Sequence, residues 1–112
     1  GVLKLLDKCS GAMNDGDYQY VISKLKSLEN IHSEVRVFLV KAYFESDSWP
    51  DLIEICSPPK SLEEFIYLLQ GLDEAGTKAE VEALLNSEYL GMYSDDATAR
   101  ALVDSLSRRF KL

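Results

Sequence analysis

Three tight turns, each between two apolar helical stretches, most strongly constrain what this chain can fold into. The turns lie at residues 15–17, 46–48 and 75–77, so their centres are 31 and then 29 residues apart. A helix pair of this length cannot bury its apolar face alone, and repeats at this spacing stack side by side. Because stacked helix pairs commonly bind another chain in a groove, the pattern indicates a binding module rather than an enzyme.

Apolar residues recur at helical spacing along most of the chain, and no segment reads as a strand. We predict about seven helices, at 2–13, 18–30, 33–45, 48–56, 61–74, 77–86 and 94–110. The first six form three degenerate repeats of an antiparallel helical hairpin, and the seventh follows at the carboxyl end. The predicted fold class is therefore all-α, as stacked helical hairpins in a single domain over residues 1–112.

Polar residues at the predicted helix starts supply acceptors for the first backbone amides. Ser61 with Glu64, and Thr77 with Glu80, have the spacing of capping boxes, in which each side chain accepts from the other residue's amide. Side-chain caps are expected at four further helix starts. These expected caps are Asp17, Ser33, Ser48 (with Asp51 in a Ser-x-x-Asp pattern) and Ser94.

The third predicted helix has more apolar surface than its short hairpin partner can cover. Between residues 35 and 44, eight of ten residues are apolar or aromatic, and only Arg36 and Lys41 interrupt the run. A helix that is apolar nearly all round is buried on more than one side. Other helices of this chain or a visiting amphipathic helix could provide the cover, and both alternatives stay open. The apolar segment 89–93, predicted as a linker, is a second candidate surface.

The composition excludes several kinds of partner. The net charge of −7 repels phosphate backbones, which disfavours nucleic acid and anionic membranes. No apolar run reaches the roughly 18 residues of a membrane-spanning helix, and the first residues do not have the pattern of a signal peptide.

Cys9 and Cys56 lie in apolar helical stretches and are expected to be buried thiols. We therefore expect a cytoplasmic protein in a reducing compartment.

Patterns typical of catalytic or metal sites are missing from the sequence. The single histidine, His32, has no second ligand at the spacing of a zinc site. The acidic pairs lie at helix starts, where capping and the helix dipole account for them. We expect no enzymatic activity, no cofactor, no metal and no small-molecule substrate.

Residues at matching positions around the turns resemble the tetratricopeptide helical hairpin. Before the turns, the matching pairs are Cys9 and Ala12, Val40 and Tyr43, and Leu69 and Leu72. Three longer segments carry a second resemblance, through their order and spacing along the chain. They are 46–52, the leucine-rich stretch 65–72, and 95–110, which ends near basic residues. In order and spacing the chain is similar to the tetratricopeptide-like needle-subunit chaperones of bacterial type III secretion, over nearly its whole length.

This resemblance implies a specific function. In that family a small helical co-chaperone stabilises the groove protein, and together they hold the needle subunit by its amphipathic carboxy-terminal helix. The chain would then be a non-enzymatic cytoplasmic chaperone that prevents premature polymerisation of a needle-forming export substrate. The first helix of each hairpin would line the concave side. The implied partner-binding residues are Leu3, Leu6, Met13, Glu34, Val37, Lys41, Phe44, Ile66, Gln70 and Asp73.

Two alternatives stay open beside this interpretation. The polar members of the set could lie on a solvated face, and the apolar members, above all Val37 and Phe44, could lie in the core. Leu3, Leu6 and Met13 could lie in the core or contact the co-chaperone instead of the needle subunit. The chain as a whole could also be a generic helical-repeat adaptor, which binds a helical or peptide segment of another partner.

Overall fold

The computed structural model describes residues 2–28 and 32–112, and all regular structure in these ranges is helical. The all-α helical-hairpin prediction is confirmed. The elements are α1 (Val2–Asn14), α2 (Tyr18–Leu25), a short 3-10 helix (Lys26–Leu28), α3 (Ser33–Glu45), α4 (Trp49–Ile55), α5 (Leu62–Ala75), α6 (Lys78–Leu85), α7 (Glu88–Tyr93) and α8 (Ala97–Arg109). The predicted end of the second helix at Asn30 lies outside the described residues.

The chain divides into two compact units, Gly1–Ser48 and Trp49–Leu112. In the first unit, α2 packs on both α1 and α3, and α1 also contacts α3. The core of this unit is built from the inward residues of the three helices, which have no exposed surface: Cys9, Val21, Leu25, Val35 and Leu39. The prediction of a single domain over 1–112 stays a prediction.

In the second unit, α5 is the central helix. It packs closely on α4 and α8 and also contacts α7, while α6 contacts α7. Gly71 of α5 faces α4, and a Cβ added there would lie 3.1 Å from Cγ1 of Ile53 and 3.5 Å from Cδ2 of Leu52. The missing side chain of Gly71 therefore leaves room for the side chains of Ile53 and Leu52, and α4 can approach α5 closely.

The first two turns end their helices in the same way. Gly16 and Asp47 have positive φ angles of 77° and 56°. The following amide then donates to a carbonyl five residues back, from Asp17 to Ala12 at 2.8 Å and from Ser48 to Tyr43 at 2.9 Å. This geometry satisfies carbonyl groups that have no partner within the helix. It reverses the chain sharply and allows α1 and α2 to pack as a hairpin.

Helix starts confirm some of the expected caps and correct others. Thr77 and Glu80 form the complete capping box at α6. At α5, Ser61 accepts from the Glu64 amide, but the Glu64 carboxylate accepts from the amide of Lys60 and not from that of Ser61. Asp17 caps α2 as expected, through the Tyr20 amide.

Two expected serine caps are wrong, at α3 and α8. Ser33 is itself the first helical residue of α3, with His32 at the N-cap position. The segment 89–93, predicted as a linker, is helical, so Ser94 ends α7 by donating its amide to the carbonyl of Leu90. The cap of α8 therefore shifts to Asp96, whose carboxylate accepts from the Ala99 amide at 3.0 Å.

The third turn depends on Gly76, and we predict that Gly76→Ala destabilises the fold. Gly76 has an ordinary negative φ, but an added Cβ would lie 2.6 Å from the carbonyl oxygen of Leu72 and 2.7 Å from its Cα. Because these are backbone atoms, the end of α5 must shift, and we expect a loss of about 1–3 kcal/mol in the free energy of unfolding. Urea denaturation followed by circular dichroism measures it.

Gly11 provides the matched control for this variant. It lies within α1, and a Cβ added there meets nothing within 4 Å. Gly11→Ala should raise the free energy of unfolding by about 0.5–1 kcal/mol, because alanine is the better helix former. Equal or greater stability of Gly76→Ala relative to the wild type would contradict the steric role of this glycine.

The cap of α8 gives a second prediction. Asp96→Ala removes the acceptor of the Ala99 amide and should lower the free energy of unfolding by about 1 kcal/mol. Ser94→Ala, at the cap position expected from the sequence, should change it by less than about 0.5 kcal/mol. Thermal denaturation of the two variants compares them, and a larger loss for Ser94→Ala would show that the helix begins two residues earlier.

Candidate functional site

The predicted partner-binding residues on α1 differ in exposure. Leu3 is 79% exposed, the highest value among the large apolar residues exposed in the described ranges. Leu6 and Met13 are half-buried on the same helix. The side chain that packs fully into the core from α1 is Cys9. Leu3 thus leaves its apolar surface largely in solvent, and Leu6 and Met13 leave part of theirs.

Helix α3 divides its apolar residues between the core and the surface. Five are buried: Val35, Leu39, Val40, Ala42 and Tyr43. Val37 is 50% exposed, and Phe44, seven residues further along, is half-buried. Lys41 and Glu34 are exposed beside them. The surplus apolar surface predicted for this helix therefore lies partly in solvent, and neither Val37 nor Phe44 is enclosed by the chain.

The three predicted residues on α5 lie in the second unit. Ile66, Gln70 and Asp73 are each half-buried. The Asp73 carboxylate accepts from Nη1 of Arg109 on α8 at 2.8 Å, and the Asp73 backbone oxygen accepts from the same nitrogen. The pair is about half exposed, so its contribution to stability is within about 1 kcal/mol. The structure thus gives Asp73 an intramolecular partner that the sequence did not indicate.

An apolar cleft in the second unit was not predicted. It has a volume of about 290 Å³ and is lined by residues of α4, α5, α6 and α7 and of the segment between α4 and α5. Its apolar lining includes Ile53, Pro58, Pro59, Leu68, Leu72 and Leu84. From the sequence, the two prolines indicate only where a helix ends. Segment 89–93, the second candidate surface, contributes one residue to the lining, Tyr89.

Both cysteines are buried thiols outside any disulfide, as predicted. Cys9 and Cys56 have no exposed surface. Burial raises the pKa of the Cys9 thiol above its ordinary value of 9.0, because the protein interior solvates the thiolate poorly. A thiol in this environment stays protonated at neutral pH and is a weak nucleophile.

Two structural observations concern metals and membranes. Within residues 2–28 and 32–112, no group of three or more His, Cys, Asp or Glu side chains is arranged to hold a metal ion. Among the same residues, no helix combines the length and the apolar character that crossing a bilayer requires.

Comparison with known proteins identifies no relative of this chain. No protein-family model, no curated protein and no solved structure matches it. The similarity in order and spacing to needle-subunit chaperones, and the alternative of a generic adaptor, therefore both stay predictions.

The burial of the thiols predicts that neither cysteine reacts in the folded chain. At pH 8, a disulfide reagent such as Ellman's reagent should label less than about one tenth of Cys9 and Cys56 under conditions that label a free thiol completely. In denaturing urea both should react. The variant Ser10→Cys, at an exposed position of the same helix α1, is the matched control and should react rapidly. Rapid labelling of the wild-type native chain would contradict the packing of at least one cysteine.

Proposed function

We propose that this chain is a non-enzymatic cytoplasmic chaperone of bacterial type III secretion. Together with a small helical co-chaperone it holds the amphipathic carboxy-terminal helix of a needle subunit and prevents premature polymerisation. The proposal combines the likeness of its sequence layout to that chaperone family with the helical-hairpin fold. The observation that carries it is apolar surface left in solvent on α1 and α3, at Leu3 and Val37.

The position of these residues supports recognition of a helix. α1 and α3 contact each other in the first unit, so apolar side chains on both can contribute to one surface. On α3, Val37 and Phe44 are seven residues apart, which places them two turns apart on one side of the helix. Amphipathic helices bind through apolar residues at this spacing. Exposed Glu34 and Lys41 on α3 supply charges beside the apolar residues.

The same surface supports the broader alternative, a generic adaptor. Leu3 and Val37 offer apolar contact area but no group that selects one helical sequence over another. An adaptor for a different helical segment would use the same residues. The identity of the bound helix therefore distinguishes the two functions, and the experiment below includes that comparison.

The chaperone function predicts that Val37→Asp releases the needle subunit. Burying the apolar surface of a valine contributes about 1–2 kcal/mol, and burying an unpaired carboxylate is costly, so we expect at least about tenfold weaker binding. The chain is co-expressed with the needle subunit and the small co-chaperone of its host. Size-exclusion chromatography and sedimentation of needle polymers report complex formation and polymerisation.

Leu112→Asp is the matched control for this variant. Leu112 is 45% exposed and lies outside the candidate surfaces, so the same charge is introduced at another exposed apolar position. It should retain the needle subunit in soluble form, and circular dichroism should show that both variants are folded. If the wild-type chain leaves needle polymerisation unchanged, the chaperone proposal is wrong. Val37-dependent binding of an unrelated helical partner in that case would favour the adaptor.

A further inference from the structure

We infer that the apolar cleft of the second unit is a second protein-binding site. Its occupant is a basic amphipathic segment of a partner protein, which inserts a bulky apolar side chain into the cleft. The proposed function uses α1 and α3 of the first unit, whereas every residue that lines the cleft belongs to the second unit. The inference therefore goes beyond the proposed function and does not depend on it.

The chemistry of the lining favours an apolar side chain over a polar small molecule. The walls are mainly aliphatic side chains and proline rings, among them Ile53, Pro59 and Leu72. The two serine hydroxyls of the lining already donate within the chain, from Ser57 to the carbonyl of Ile53 and from Ser87 to the carbonyl of Leu84. Pockets for small polar ligands instead present several converging polar groups. The cleft provides burial rather than directional hydrogen bonds.

The size of the cleft also favours a segment of polypeptide. Its volume of about 290 Å³ is enough for one or two large side chains, and lies at the lower limit of the roughly 300–1,000 Å³ of small-molecule pockets. A second hollow of about 340 Å³ adjoins it, shares Ile53, Ser57 and Glu80 with it, and adds Pro50, Glu54 and Ala75. The two together form an elongated surface along α4, which an extended or helical segment can follow.

The charge around the cleft determines the charge of the occupant. Glu80 lines both hollows and Glu54 lines the second. The carboxylate of Glu80 is held in place by the amide and hydroxyl of Thr77, at 3.0 and 3.1 Å. Residues 49–112 contain twelve acidic and six basic side chains, so this unit carries nearly all of the net charge of −7. Lysine or arginine beside the apolar anchor is therefore favoured, and an acidic partner is repelled.

The same charge argues against a second copy of this chain as the occupant. Each copy carries −7, so two copies repel each other at the encounter. The basic residues near the end of α8 are few, and Arg109 is already paired with Asp73. A separate protein with a basic amphipathic segment fits the cleft better than self-association does.

The test uses two synthetic helical peptides of about 14 residues, roughly four turns, made of leucine with lysine or of leucine with glutamate. Fluorescence anisotropy of labelled peptide gives the dissociation constant for the full chain. We expect the lysine peptide to bind at least about tenfold more tightly than the glutamate peptide, with weaker binding at high salt. In methyl NMR spectra of the chain, the lysine peptide should shift the resonances of Leu68, Leu72 and Leu84.

Two pairs of variants separate the cleft from general attraction to an acidic surface. Glu54→Lys should weaken binding of the lysine peptide about fivefold or more. Asp104→Lys makes the same charge change at an exposed position of α8 and should weaken binding less than about twofold. Ala83→Leu should fill the cleft from α6 and weaken binding at least about fivefold, whereas Ala101→Leu on α8 should leave it unchanged. Thermal denaturation confirms that all four variants fold.

Three outcomes would overturn the inference. The first is equal weakening by Glu54→Lys and Asp104→Lys, which would show that only the net charge matters. The second is loss of peptide binding in Val37→Asp with full binding in Ala83→Leu, which would assign the peptide to α1 and α3. The third is a concentration-dependent dimer in sedimentation that Ala83→Leu disrupts, which would make a second copy the occupant. Failure of needle binding in the preceding experiment leaves each of these measurements unaffected.

Discussion

Each helix of this chain is too short to be stable alone, and its stability depends on burying one apolar face against a neighbour in its own unit. The longest helix within the described residues, α5, has 14 residues, and helices of that length are marginal in isolation in water. In the first unit α2 lies against both α1 and α3, and in the second unit α5 lies against α4 and α8. The caps and turns matter because they end each helix where the chain must reverse for these faces to meet. Gly71 and Gly76 both act at α5, one by allowing α4 to approach and the other by allowing the helix to end.

Packing within a unit uses most of the apolar surface but not all of it. Five side chains of α3 are buried, while Val37 stays half exposed. In the second unit, the faces of α4, α5 and α6 leave a cleft instead of closing completely. The two proposed sites have the same origin, since each lies where helices of one unit leave apolar surface uncovered. They differ in charge, because nearly all of the negative charge is on the second unit. The two proposals therefore call for partners of different chemistry.

The positions of most helices were predictable because apolar periodicity and turn residues act locally. The turn at Asp15-Gly16-Asp17 and the capping box of Thr77 with Glu80 appear in the structure as the sequence predicts. The cap of α8 was not predictable in the same way, because Ser94 and Asp96 are both good capping residues. The choice between them depends on where α7 ends. A helix of six residues is too short to show a periodicity, so 89–93 has the appearance of a linker in the sequence alone.

The sequence by itself determined the helical fold class, the positions of the three turns, and the burial of Cys9 and Cys56. These follow from residue type and spacing over a few turns of helix. Only the tertiary structure decided that Val37 stays exposed while Val35 and Leu39 are buried, that Asp73 pairs with Arg109 from 36 residues away, and that two prolines form the wall of a cleft. Each of these depends on which helix lies opposite a given side chain. Periodicity shows that a helix has an apolar face, but the distance and shape of the neighbouring helix determine how much of that face it covers.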